Sequence, residues 1–249
     1  MFTEQKLKSA ALLYRYAFPL YRRMYFRFKN KKDKRNLQLI RTVIEPGNII
    51  LDIGANIGFY TKFFAECTGG SGQVYAFEPD VTNFTHLKTT LSQNENVTLV
   101  QKAVAAESGI LMLYLSSLLN VDHRTHEPEQ YKGKYPVDKI SVDDFVKNKF
   151  QVDFIKMDIQ GFEMEALKGM EQTITSNPQL KIFTELWHFG LKRAGSSATE
   201  MFDFAVQRGF KVFKIGDETI TELKREEAAS MQDEYFTDTN VLLSRQNIF

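Results

Sequence analysis

Cysteine occurs once in the 249 residues, at Cys67, which excludes an intramolecular disulfide and any zinc site built from several cysteines. A reducing, cytoplasmic setting is the resulting expectation. Long apolar runs are missing too, since nothing approaches the roughly 18 unbroken apolar residues of a membrane span. Residues 9–14 are apolar but closed by Lys8 and Arg15, short of the roughly 7 to 15 residues of a signal-peptide core, so nothing here directs export. Glycine is absent from residues 3–45, and proline occurs there once, at Pro19. An overall excess of charge is also lacking: 32 Lys and Arg face 31 Asp and Glu, for a net +1.

That balance conceals an asymmetry. Residues 1–41 hold twelve Lys and Arg against Glu4 and Asp33, a local +10 that leaves −9 for the remainder. Within residues 3–45, Leu7, Ala10, Ala11, Tyr14, Phe18, Tyr21, Tyr25 and Phe28 recur mostly at steps of three or four, which predicts helices broken or kinked at Pro19. Arg22, Arg23, Arg27, Lys29, Lys31, Lys32, Lys34 and Arg35 interleave with the aromatics. Two readings stand: a cover helix packed on the domain with a solvated basic face, or a surface helix on anionic lipid or a lipid-linked substrate. Nucleic acid is not expected as a partner, because no recognition motif accompanies the charge. The chain divides into a basic, aromatic helical extension over 1–45 and an α/β domain over 46–249.

The domain is organised around residues 49–60, Ile-Ile-Leu-Asp-Ile-Gly-Ala-Asn-Ile-Gly-Phe-Tyr: an apolar strand, a tight turn and a helix start. Further strands are predicted at 73–77, 97–101, 110–116, 139–141, 153–157, 180–186, 211–215 and 240–244, the last two as a terminal antiparallel pair. Helices are predicted at 81–93, 142–148, 198–208 and from about 161 to 176. This is a doubly wound α/β pattern, whose ligands bind beyond the carboxyl ends of the strands. Asp52, Glu78, Asp158 and Glu185 all fall at such ends and should converge on one crevice. Residues 118–135 are the least regular stretch, and a long polar loop in a compact domain is more often functional than idle.

The turn reads Gly54-x-Asn56-x-Gly58 with Asp52 ahead of it. A dinucleotide needs a glycine-rich turn against its pyrophosphate, and Asp52 would repel that phosphate. S-adenosylmethionine carries no phosphate, and its ammonium and sulfonium suit a nearby acid, with Glu78 placed to bind the ribose. A dehydrogenase or epimerase would also need a Tyr-x-x-x-Lys pair on a downstream helix. Tyr25 and Lys29 lie upstream, and Tyr135 and Lys139 enclose Pro136. A binding protein without catalysis on the same fold is the other alternative.

Four segments carry a family resemblance: Leu-Asp-Ile-Gly-Ala-Asn-Ile-Gly at 51–58, Ala-Phe-Glu-Pro-Asp at 76–80, Lys-Ala-Val at 102–104, and Ile-Lys-Met-Asp-Ile-Gln-Gly-Phe-Glu-Met-Glu-Ala-Leu-Lys-Gly at 155–169. Over about residues 48–190 the chain resembles the FkbM family of S-adenosylmethionine-dependent methyltransferases. The last segment is the specific one, although Gln160 stands where the family usually has Glu. The resemblance implies a Rossmann-like class I methyltransferase fold, with a seven-stranded, mostly parallel sheet, an antiparallel last strand and helices on both faces. It also implies O-methylation of a hydroxyl on a sugar, polyketide or related metabolite; the basic N-terminus adds glycolipid precursors, and possible contact with the inner face of a membrane. Pro79 and Ala103, inside these segments, join Asp52, Gly54, Asn56, Gly58 and Glu78 as the expected cofactor set.

Methyl transfer from a sulfonium is an in-line displacement, and an alcohol acceptor must lose a proton. Asp158 is the first candidate base. Lys156, two residues earlier on the same strand face, could stabilise an alkoxide or pair with that carboxylate. His188, after the fifth strand, is a third catalytic candidate. His123, Glu163 and Glu185 are candidate acceptor contacts, Glu163 also being placed to cap its own helix. His123 and His126 beside Glu127 imitate a metal site, but lack helical spacing and a further ligand, so no metal is expected. Trp187 could stack on a sugar or pack in the core.

Overall fold

The computed structural model describes residues 4–116, 123–125, 131–147, 149–216, 218–234 and 239–248. Three helices come first: α1 (Glu4–Tyr16), α2 (Phe18–Lys32) and α3 (Lys34–Val43). Ala17 leaves the helical region (φ −139°, ψ 51°), so the interruption falls just before Pro19, which sits at the tolerated first turn of α2. Among the described residues eleven strands follow: β1 (Ile49–Ile53), β2 (Gln73–Phe77), β3 (Val97–Val100), β4 (Ala103–Val104), β5 (Gly109–Leu115), β6 (Gly133–Ile140), β7 (Phe154–Met157), β8 (Lys181–Leu186), β9 (Lys211–Ile215), β10 (Ile220–Glu222) and β11 (Thr239–Ser244). Helix α4 (Phe59–Thr68) connects β1 to β2, and α5 (Val81–Thr90) connects β2 to β3.

Eight strands form one sheet in the order β10-β9-β11-β8-β7-β1-β2-β3. From β3 to β8 the pairings are parallel; β11 inserts antiparallel between β8 and β9. The seven expected strands and the antiparallel terminal pair are present, and β10 adds an eighth at the edge. The chain leaves β1 outward to β2 and β3, then returns to β7 on its other side. The connections therefore diverge between β1 and β7, which opens a crevice at their carboxyl ends. Every residue of β7 is buried, as a strand covered on both faces requires.

Two sequence expectations need revision. The strand placed at 139–141 begins six residues earlier, at Gly133, and pairs antiparallel with β5 in a separate three-stranded sheet, β4-β6-β5. The helix expected from about 161 to 176 is two, Glu163–Lys168 and Glu171–Ser176. A Cβ on the intervening Gly169 would lie 2.2 Å from the Ala105 carbonyl oxygen, so the chain bends where that backbone approaches.

The N-terminal helices pack on the domain. Leu39 and Ile40 of α3, with Ile44, share a core with Ile50, Phe64, Val74 and Phe154. Phe18 stacks on His86 with ring centroids 3.7 Å apart, and Phe26 meets the Phe59 ring edge-on at 5.2 Å. The outer face of α1 and α2 remains exposed.

Candidate active site

The turn after β1 takes left-handed backbone at Gly54 (φ 78°), Asn56 (φ 51°) and Gly58 (φ 91°). At Gly54 a Cβ would sit 2.1 Å from the Asp158 carbonyl oxygen, so glycine is required where the turn abuts the end of β7. All five N–H groups of the turn are engaged within the protein. Gly54 and Ala55 donate to the Phe77 carbonyl, and Gly58 to that of Ala55. Asn56 N–H donates to Glu78 Oε2 at 2.8 Å, and Ile57 N–H to Asn56 Oδ1 at 2.7 Å. A pyrophosphate would find no backbone donors here, whereas glycine-rich phosphate loops bind through such donors.

Glu78, at the end of β2, is buried in the crevice wall beside Pro79 and Asn83. Burial pushes its carboxyl up to about 7, although N–H groups from Asp80 and Asn56 oppose the rise. Each oxygen already accepts one of those N–H groups, Oε1 from Asp80 at 3.0 Å, and a carboxylate oxygen can accept more than one bond. The site thus offers acceptors suited to a diol and a cationic group, with no phosphate cradle. That donor set fits S-adenosylmethionine. Asp80 caps α5 through Asn83 N–H at 2.7 Å and accepts from the Tyr135 hydroxyl at 2.7 Å, tying β6 to the crevice.

Asp52 and Lys156 are directly opposite in the β1–β7 register. The Asp52 carboxylate is fully buried, accepts from the Thr61 hydroxyl at 2.6 Å, and lies 3.3 Å from Lys156 Nζ. That contact is an ion pair without hydrogen-bond alignment, since Asp52 Oδ1 has no hydrogen bond. Lys156 instead donates to the Gly54 carbonyl at 2.9 Å. Burial works against its charge, but Asp52 and Asp158 more than offset it and raise its pKa. Asp52 does not line the crevice, so the cation it meets is Lys156 rather than a ligand.

Asp158 does line the crevice and accepts from Gln160 Nε2 at 2.9 Å. Burial pushes its carboxyl up, yet Lys156 and then Lys29 outweigh that and hold it below the ordinary carboxylate range. The position where the family usually has Glu thus supplies a neutral amide donor to Asp158.

Gly54, Asn56, Glu78, Pro79, Ala103, His123, Lys156 and Asp158 are brought together around a crevice open to solvent. Gly58 shapes the turn without lining it. His123 Nδ1 accepts from Ser116 N–H at 3.1 Å, which leaves Nε2 as the protonated nitrogen, 3.8 Å from Asp80. Three candidates are placed elsewhere. Glu163 is fully buried, with Oε1 accepting from Ile159 N–H at 3.0 Å; it braces the turn through Gln160 and Gly161, both at positive φ, instead of facing an acceptor. His188 opens the short helix His188–Arg193, its Nδ1 within 3.5 Å of Ala198 N, because the chain turns away after β8. Glu185 lies opposite Asn240 in the β8–β11 pairing, away from the crevice. Trp187 is buried in the core with Arg124 over its ring at 5.4 Å. His126 and Glu127 lie outside the described residues.

Tyr25 and Lys29 of α2 also line the crevice, although they precede the turn by more than twenty residues of sequence. Lys29 pairs with Asp33, which accepts from the Tyr60 hydroxyl at 2.9 Å, and its Nζ lies 5.5 Å from the Tyr60 ring centroid. Their four-residue spacing puts both side chains on one helix face. That spacing was legible in the sequence; its proximity to the crevice was not.

A doubly wound sheet whose last strand inserts antiparallel, with a crevice at the β1 switch point that lacks a phosphate cradle, is the architecture of a class I methyltransferase. The Methyltransferase FkbM domain matches residues 52–212, and the chain belongs to that family. Membership of that family makes the chain a methyltransferase, and the crevice fits S-adenosylmethionine as the methyl donor. No curated protein matches the chain by sequence. Among solved structures, an rRNA methylase from Streptococcus thermophilus is similar at 13% identity and a TM-score of 0.50, covering 85% of this chain and 95% of its own. A SAM-dependent methyltransferase from Aquifex aeolicus aligns over 98% of both chains at 15% identity and a TM-score of 0.47. At 13% identity the likeness to the rRNA methylase concerns the fold alone.

Proposed function

We propose that the protein is an O-methyltransferase acting on a hydroxyl of a sugar, glycolipid precursor, polyketide or related metabolite. The observation that carries this reading is Asp158, a carboxylate at the tip of β7 in the crevice wall, held ionised by Lys156 and Lys29. S-adenosylmethionine supplies an electrophilic methyl group on a sulfonium. Glu78 is suited to accept from its ribose hydroxyls, while Pro79 and Ala103 wall the site.

Asp158 accepts the hydrogen of the acceptor hydroxyl and thereby orients its oxygen for in-line displacement. A weak base suffices for this step. As the oxygen takes the methyl group, the carbon–sulfur bond would break and the sulfur would leave as a neutral thioether, and the positive charge passing to the oxygen would make its proton acidic enough for a carboxylate whose pKa is already low. Lys156, held between Asp52 and the Gly54 carbonyl, positions the turn and keeps Asp158 ionised.

The reading is tested by mass spectrometry of hydroxylated sugars, polyketides and lipid-linked saccharides incubated with enzyme and cofactor. A gain of about 14 Da at a hydroxyl is expected. Transfer only to a nitrogen or carbon of an acceptor such as RNA would overturn the O-methylation reading.

A further inference from the structure

Exposed apolar and basic residues lie side by side on α1 and on α2. Leu12 (60% exposed), Tyr16 (72%), Leu20 (51%), Met24 (54%) and Phe28 (44%) recur at steps of four, and they are five of the nine large hydrophobics exposed among the described residues. Immediately before them in sequence, Arg15, Arg23 and Arg27 are exposed, as are Lys31 and Lys32 beyond. Scattered exposed hydrophobics are ordinary, but five within seventeen residues, two on α1 and three on α2, are a concentration that marks an interaction surface. Among the described residues no carboxylate pairs with Arg23, Arg27 or Lys31, whereas Lys29, on the inner face, pairs with Asp33.

We infer that α1 and α2 seat the protein on an anionic lipid surface, with the apolar residues at the acyl boundary and the basic residues on lipid phosphates. The two sets match the two layers such a surface presents. No helix among the described residues is long and apolar enough to cross a membrane, so the contact is peripheral. A second copy of the chain is a poorer occupant, because two segments of +10 would face each other. RNA would satisfy the arginines and leave the leucine and methionine in water.

The surface also bears on the acceptor. Met24 and Phe28 point outward from α2, while Tyr25 and Lys29 of the same helix line the crevice. A membrane under α2 therefore lies against the wall of the crevice, and the acceptor is a lipid-linked hydroxyl compound. This last step rests on the methyltransferase reading; the lipid contact does not.

Cosedimentation of the full chain with phosphatidylcholine vesicles, with and without about 30% phosphatidylglycerol, tests the contact. The protein should pellet with the anionic vesicles at least about tenfold better than with the neutral ones. The double variants Leu20→Ser/Met24→Ser and Arg23→Gln/Arg27→Gln should each lose about tenfold, with heats of S-adenosylmethionine binding unchanged. No enrichment on anionic vesicles, or undiminished binding by Leu20→Ser/Met24→Ser, overturns the inference. Binding of a structured RNA that only Arg23→Gln/Arg27→Gln abolishes, or a dimer that Leu20→Ser/Met24→Ser dissolves, overturns it in favour of those partners. Vesicle binding by a protein with no heat of S-adenosylmethionine binding would contradict the cofactor assignment and leave the surface standing.

Discussion

Lys156 faces Asp52 across neighbouring strands at 3.3 Å, both side chains buried, and so fixes the end of β7 against the Gly54–Gly58 turn. Removing one member of a buried pair strands the other charge, which typically costs about 3–5 kcal/mol. Lys156→Met is expected to lower unfolding stability by that order in urea titrations. Asp52→Asn/Lys156→Met should recover a large part of the loss, because neither charge is then left alone.

Asp158→Asn keeps the shape of the residue and removes its basicity. Cofactor affinity by calorimetry should stay within about twofold, while kcat falls by about 10²–10⁴, the usual contribution of a positioned base. Undiminished kcat would remove Asp158 from that role.

Lys29→Met withdraws a cation that helps hold Asp158 below its ordinary range. With that attraction gone the Asp158 pKa rises, so the acid limb of the kcat/KM profile should move to higher pH. An unmoved limb would mean that α2 does not act on the site electrostatically.

Glu163 is fully buried, and burial raises its carboxyl to about 7. The folded state therefore holds a proton that the unfolded chain releases near its ordinary value of 4.5. Its contribution to stability is present below pH 4.5 and lost as pH rises to about 7. Thermal unfolding of Glu163→Gln should show a shallower decline across that window, by on the order of 3 kcal/mol, since the amide keeps an oxygen for Ile159 N–H without becoming charged.

The parts of the fold that the sequence disclosed are those decided by local pattern. The apolar runs of β1, β2, β7 and β8, the Gly54–Gly58 turn and the carboxylates at strand ends could be read directly, and Asp158 and Glu78 do meet in the crevice. Register was not legible: Asp52, adjacent to the turn, resembled a ligand contact until β1 paired with β7 and set it opposite Lys156. The start of β6 was masked by Gly133 and Pro136. Proline is tolerated there because β4 pairs only with Lys139 and Ile140, which leaves that side of β6 without a strand partner at Pro136 among the described residues. The sequence offers Glu163 as an acceptor contact or a cap on its own helix, and only packing shows it sealed beneath the turn. Tyr25 and Lys29 required tertiary folding to reach the site.

The five engaged N–H groups of residues 54–58 make the sharpest claim about the cofactor. Calorimetric titration of the protein with S-adenosylmethionine and, separately, with NAD tests it most directly. The account predicts saturable binding of S-adenosylmethionine at one site per chain and no heat with NAD. Saturable NAD binding without a response to S-adenosylmethionine would contradict it.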